Sequence, residues 1–172
     1  MKRLVCIAML ALGSGCSSCK APGDKPATGP VATAVEDAGP PVSAGVQVIR
    51  DADQALQSGD LDKAIVLSRK GLELEPRHPL ASNILGRAAA ARFARSHDPL
   101  DAKTAEEAFE KAVEANPTFW PALQNLGELY EKQGKLKEAA RAYARVLETQ
   151  PEHPEKDRLE KVIASAASDA GK

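Results

Sequence analysis

Residues Trp120 to His153 read WPALQNLGELYEKQGKLKEAARAYARVLETQPEH. Leu123, Leu126, Gly127 and Tyr130 recur at the three- and four-residue spacing of one helical face, and Gly134 interrupts the run. A second amphipathic run follows, with Ala139 and Tyr143 one turn apart, and Pro151 stops it. The stretch therefore predicts two short antiparallel helices joined at Gly134. Small Gly127 and Ala139 let the two backbones approach, while Leu126, Tyr130 and Tyr143 fill the space beside them.

The same punctuation recurs upstream. Pro76, Pro117 and Pro151 follow one another at intervals of 41 and 34 residues. Before each proline lies a pair one helical turn apart: Ala64 with Ser68, Ala105 with Phe109, Ala139 with Tyr143. Leu85-Gly86 repeats Leu126-Gly127, and Gly59 and Gly134 each stand 17 residues before their proline. At these residues the sequence resembles a tetratricopeptide repeat (TPR) protein. The resemblance implies an all-α fold, a short TPR solenoid of three helix-turn-helix repeats over 45–78, 79–118 and 120–153. Its structural positions fall on Ala64, Gly86, Ala105, Phe109, Gly127, Tyr130, Ala139, Tyr143 and Pro151. The first unit departs from the family's pattern at Asp51, where the family has leucine.

The second unit is seven residues longer than the third. Seven residues make about two helical turns, so one added turn per antiparallel helix preserves the packing register. Asp98 suits an N-cap, Pro99 a first helical position and Asp101 a capping-box place, which predicts helices over 79–95 and 99–115. The hairpin end Arg92 to Leu100 is then either a contact point or an insertion without a role. Beyond Pro151, Leu159, Val162, Ile163 and Ala166 share one helical face, and a capping helix over 154–167 would cover the apolar end of the array. That makes seven helices, followed by a disordered tail at 168–172.

In TPR proteins the first helix of each unit lines a concave groove. Carried over by position, the resemblance puts Ile49 and Asp53 of the first unit, Asn83 and Arg87 of the second, and Gln124 and Glu128 of the third on that groove. Val46, Leu56, Gln57, Leu80, Ala90, Ala91, Pro121, Glu131 and Lys132 accompany them. The chaperone-type clamp for a C-terminal carboxylate needs Lys and Asn where this chain has Ile49 and Asp53, so that specificity is not expected. Asn83 and Gln124 offer amides to the backbone of an extended peptide. The column Asp53, Arg87, Glu128 alternates in sign and can equally pair with itself.

Composition narrows the function classes. The chain has 172 residues with 43% hydrophobic, 27% charged and only 3% aromatic, and 23 Lys and Arg stand against 24 Asp and Glu. Without a basic excess, a nucleic-acid partner is not expected. The 3 cysteines all lie within the first nineteen residues, so the body of the chain has neither a disulfide framework nor a Cys-rich zinc site. His78, His97 and His153 are spread along the array, and no GxSxG, HExxH, P-loop or GxGxxG pattern occurs. No catalytic residue, metal, cofactor or small-molecule substrate is expected. The resemblance implies a protein or peptide partner.

Residues 1–15 carry a basic start, Lys2-Arg3, an apolar run from Leu4 to Leu12 and small residues up to Gly15. These are the parts of a secretory signal, and nine apolar residues rise only about 14 Å as a helix, too short to span a bilayer. The position of Cys16 makes the segment resemble a bacterial lipoprotein signal, which implies lipidation of Cys16. Gly13 stands where the lipobox prefers leucine, which leaves ordinary cleavage or modification at Cys19 open. Ser17 is not the Asp of inner-membrane retention, so the expected place is the outer membrane facing the periplasm, the alternative a soluble periplasmic or secreted protein. Five Pro and three Gly within Lys20 to Ala44 make 16–44 a disordered tether. The expected function is a lipid-anchored, non-catalytic interaction scaffold. The alternatives are an assembly factor resembling the TPR pilotin lipoproteins, or a self-associating spacer.

Overall fold

The computed structural model describes residues 43–169, and these form seven α-helices. Three hairpins follow one another: α1 (Ala44–Gln57) with α2 (Leu61–Leu74), α3 (Pro79–Ser96) with α4 (Pro99–Ala115), and α5 (Trp120–Lys132) with α6 (Leu136–Thr149). The last helix, α7 (Lys156–Asp169), packs on α6. The fold is an all-α solenoid of three helix-turn-helix units closed by a capping helix, the architecture that the resemblance implies. The expected signal segment, Cys16 and nearly all of the 16–44 tether lie outside the described residues, as do 170–172. Two boundaries differ from expectation. Ala44, assigned to the tether, already opens α1, because Ser43 caps it by accepting the Val46 N–H at 3.2 Å. The last helix starts and ends two residues later than 154–167, because the Glu155 N–H donates to His153 Nδ1 and holds that segment as a turn.

Each turn repeats a local solution. Between α1 and α2 the Asp60 N–H reaches Ala55 O and the Gly59 N–H reaches Leu56 O. The α5–α6 turn repeats this with Lys135 to Tyr130 and Gly134 to Glu131. Both are Schellman closures, and Gly59 and Gly134 take the left-handed place with φ of 82° and 72°. In the longer second unit His97 fills that place with φ of 56°, its ring edge-on to Phe93 at 6.1 Å. Between units, Glu75-Pro76, Asn116-Pro117 and Gln150-Pro151 each open a turn in which the residue before proline accepts from the N–H three places on.

Within units two and three the hairpins close on a glycine facing an aromatic ring. A Cβ on Gly86 would lie 2.5 Å from Phe109 Cε1, and one on Gly127 would lie 2.7 Å from Tyr143 Cδ1. Phe109 and Tyr143 are buried, together with Ala64, Ala105 and Ala139. The first unit exchanges both partners: Ala52 replaces the glycine, and Ser68 replaces the ring and donates its hydroxyl to Ala64 O at 2.6 Å. Tyr130 is buried at the end of α5, and Leu159 of α7 joins the same core.

The second unit lengthens as its spacing predicts, with α3 at 18 residues and α4 at 17 against 13 and 14 for α5 and α6. Asp98 caps α4 by accepting the Leu100 N–H at 2.9 Å. Asp101 does not complete a capping box. Its side chain turns inward, 5% exposed, and takes both Nε and Nη2 of Arg92. Arg92 Nη1 reaches Asp62 of α2 at 2.8 Å, so one guanidinium ties three helices together. These hydrogen bonds, to Asp101 first and Asp62 second, raise the pKa of Arg92.

Both tyrosines of the chain donate to carboxylates: Tyr130 to Glu106 at 3.0 Å and Tyr143 to Glu131 at 2.6 Å. Burial first, then the neighbouring carboxylate, pushes both phenols well above their ordinary pKa near 10. The folded state therefore favours the neutral phenol. Its stabilisation is complete below about pH 10 and is lost as pH rises further. In an alkaline titration followed by phenolate absorbance, neither tyrosine should ionise near pH 10, and both should appear together with loss of helix. A tyrosine that titrates near pH 10 in the folded chain would contradict this.

Candidate partner-binding groove

The backbones of successive first helices come close, α1 to α3 and α3 to α5, whereas those of α2 and α4, and of α4 and α6, stay farther apart. The array is thus drawn together along its first-helix side, and that side is concave. No helix backbone comes close to another more than two places away along the described chain. A cleft of about 230 Å³ crosses this side, lined by Leu56 of α1, by Arg87, Ala90 and Ala91 of α3, and by Asn125, Glu128, Leu129 and Lys132 of α5. Small Ala90 and Ala91 on the middle helix leave this space between the longer side chains around them.

The residues expected on the groove divide into two groups. Arg87 is exposed and Glu128 half-buried, and both line the cleft. Asp53 is half-buried on α1 and accepts Gln57 Nε2 at 2.6 Å. Ile49 does not face the groove. It is 2% exposed and packs over Gly71 of α2, where the missing Cβ makes room for it. Asn83 is also buried, and its Oδ1 accepts Asn125 Nδ2 at 2.9 Å, bridging α3 and α5. Gln124 is committed on both ends of its amide. His153 Nδ1 accepts a backbone N–H, so its Nε2 carries the proton and donates to Gln124 Oε1 at 3.1 Å, while Gln124 Nε2 donates to Glu128 at 3.1 Å. Asn83 and Gln124 therefore hold the helices in place, and Arg87 and Lys132 are the exposed charges of the cleft.

Positional transfer missed Asn125, Leu129 and the contribution of the cap. Arg158 of α7 pairs with Glu131 at 2.8 Å and lies over the Tyr143 ring at 5.7 Å. His153 is edge-on to Trp120 at 5.2 Å. The chain's last turn and helix thus fix the orientation of Gln124, Glu128 and Glu131. Glu131 and Arg158 are also half-exposed lining residues of a second hollow beside α5. The i, i+4 relation between Gln124 and Glu128 was available to sequence reading, but the 29 residues between Gln124 and His153 leave no periodic trace.

Among the described residues no group of three or more His, Cys, Asp or Glu side chains could hold a metal ion, and no helix is long and apolar enough to cross a membrane. The arrangement can take up an extended chain segment by shape, apolar contact and a few charges.

Residues 101–161 match a family model described as tetratricopeptide repeat. No curated protein sequence matches the chain. Among solved structures the chain is similar to the first TPR of Spaghetti (RPAP3) bound to the HSP90 peptide SRMEEVD, with a TM-score of 0.61 and 25% identity over 72% of this chain and 93% of that one. It also resembles MamA, with a TM-score of 0.61 and 22% identity over 74% and 69% of the two chains. The TPR2B-domain:pHsp70-complex of yeast Sti1 gives a TM-score of 0.60 at 12% identity over 73% and 97%.

Proposed function

We propose that the chain is a non-catalytic docking module that receives an extended segment of a protein partner in its concave cleft, held to the bacterial envelope by a lipid on Cys16. TPR solenoids commonly mediate protein–protein or peptide binding. The observation that carries the reading is the cleft spanning all three units, with Arg87 and Lys132 exposed at its edge and apolar Leu56, Ala90 and Ala91 along it. The short basic-apolar leader ending at Gly15-Cys16 motivates the anchor. The outer membrane, facing the periplasm, is the proposed location.

The partner is not expected to be an acidic chaperone tail. Ile49 is buried and Asp53 is acidic where the family's clamp needs Lys and Asn, so a terminal carboxylate would meet a like charge. Titration of the peptide SRMEEVD should give no measurable binding, whereas micromolar binding would overturn this exclusion. For the main reading, the full-length, membrane-extracted chain is used for affinity capture in three forms. An Arg87→Glu, Ala91→Trp variant should lose the partner at least about tenfold, since a filled cleft forfeits both contact and charge. Arg69→Glu with Lys111→Glu, on the second-helix side, should keep it. The reverse pattern would defeat the groove reading. Mass spectrometry of the mature N-terminus should find an acylated Cys16, and an unmodified N-terminus elsewhere would remove the anchor.

A further inference from the structure

On the second-helix side the backbones of α2 and α4 stand apart, and a recess of about 410 Å³ lies between them, with Ser82 and Leu85 of α3 in its lining. The repeat supplies its own comparison. Leu123 and Leu126 stand 41 residues after Ser82 and Leu85, and Ala142 stands 34 after Ala108. In the third unit those equivalent residues line a hollow of only about 210 Å³. The larger volume falls within the range of ligand pockets, roughly 300–1,000 Å³, and the smaller one below it. The two places differ in one interior residue: Leu123 is a fully buried core side chain, and the second unit has the smaller, polar Ser82 there.

Ser82 is 2% exposed, and its hydroxyl has no hydrogen-bond partner among the described residues. None of their side-chain polar atoms is both sealed from solvent and unpaired, so the hydroxyl opens into the recess it lines. A buried hydroxyl is unfavourable until it is hydrogen-bonded, and it can both donate and accept. The neighbouring Thr104 hydroxyl is already committed, donating to Leu100 O at 2.8 Å. Ser82 is therefore the free polar group of the interior, among apolar Leu72, Leu85 and Ala108. At the mouth Arg69 and Lys111 are balanced by Glu73 and Glu107, so the mouth selects no sign of charge. The complement is a neutral group with an apolar body and a hydroxyl at its tip. Serine and threonine have the hydroxyl without the body; a phenol has both.

We infer that the recess between α2 and α4 is a second binding site, separate from the concave cleft, which takes a neutral phenol, with Ser82 as its hydrogen-bonding residue. The phenol can be a tyrosine side chain of a partner or a free small molecule. The exchange of leucine for serine in the repeat is what creates the site, and the site stands or falls independently of the cleft.

The test uses the full chain, isotopically labelled, titrated at pH 7 with p-cresol and with toluene, which lacks only the hydroxyl. Amide shifts should cluster at Ser82, Leu85 and Ala108, and p-cresol should bind about fivefold more tightly than toluene, as one net hydrogen bond provides. Ser82→Ala keeps the volume and should bring p-cresol down to the level of toluene. Ser82→Leu restores the residue of the third unit and should abolish binding of both. A third titration with Ac-Tyr-NH2 distinguishes the sources: binding there assigns a protein side chain, and binding of p-cresol alone assigns a free phenol. Shifts centred on Ala90 and Asn125 would assign the ring to the cleft and overturn the proposal. So would shifts of equal size at Leu126 and Ala142, no shift at about 20 mM p-cresol, a concentration that reaches even very weak association, or a preference for p-cresol that Ser82→Ala leaves unchanged.

Discussion

Gly127→Leu is expected to unfold the third unit or to destabilise the chain by about 3 kcal/mol or more, at the upper end of overpacking costs. Its first side-chain atom would already lie 2.7 Å from Tyr143 Cδ1 and 2.9 Å from Cζ, and Tyr143 is fully buried with its hydroxyl bound to Glu131. The ring has nowhere to go without breaking that bond. The milder Gly127→Ala separates this cause from a generic mutational loss. In a helix interior, alanine gains about 1 kcal/mol over glycine, so the substitution should help unless a ring obstructs it. We expect Gly127→Ala to destabilise the native chain but to be neutral or stabilising when Tyr143 is already alanine. Urea unfolding followed by the fluorescence of Trp120, the single tryptophan, measures all four corners of that cycle. Equal effects of Gly127→Ala in both backgrounds would remove the ring-over-glycine account.

The second large effect belongs to Arg92. Removing it by Arg92→Met would leave the Asp101 carboxylate, 5% exposed, without its partner, the situation that costs most among charge deletions. Because the Arg92 side chain itself is 40% exposed and water can follow it, we expect a loss of about 2–3 kcal/mol, below the full range for a sealed pair. Asp62 is 82% exposed, so Asp62→Ala should cost no more than about 1 kcal/mol. Adding Asp101→Asn to Arg92→Met should return part of the loss by removing the stranded charge. Chemical unfolding of the three variants beside the native chain checks the order. If Asp62→Ala proved as costly as Arg92→Met, the buried carboxylate would not be the seat of the effect.

Most of the helical architecture could be read from local chemistry. Glycines at 59 and 134 and prolines after residues 75, 116 and 150 act within one turn of the chain, and each occupies the backbone place its chemistry demands. The extra turn in the second unit was legible for the same reason, because Asp98-Pro99 marks a helix start wherever it falls. What escaped depends on distant partners. Ile49 turns inward because Gly71 offers room 22 residues later, and Asn83 is held by Asn125 across 42 residues. A positional rule assigns a helix face but not the volume opposite it. Asp101 escaped because a capping box considers only backbone donors, whereas Arg92, nine residues upstream, offered a stronger one. The cleft could be expected as a surface. Which side chains are still unoccupied within it could not.

The contact pattern, in which no described helix reaches past its second neighbour, has a kinetic consequence. Loops to be closed during folding are short, so their entropy is small and the chain should fold rapidly for its size. The same locality means that the ends can fray while the middle holds. At the C-terminal end α7 buries Leu159 against the core, but at the other end the first hairpin has no aromatic ring over a glycine, only Ala52 and Ser68. Hydrogen exchange should therefore be faster in the end helices α1 and α7 than in α4 and α5, with the Arg92 latch limiting how far an opening at the first unit can travel inward. A pull applied through the N-terminal residues would meet first the hairpin that has no ring over a glycine, with the two ring-locked units beneath it.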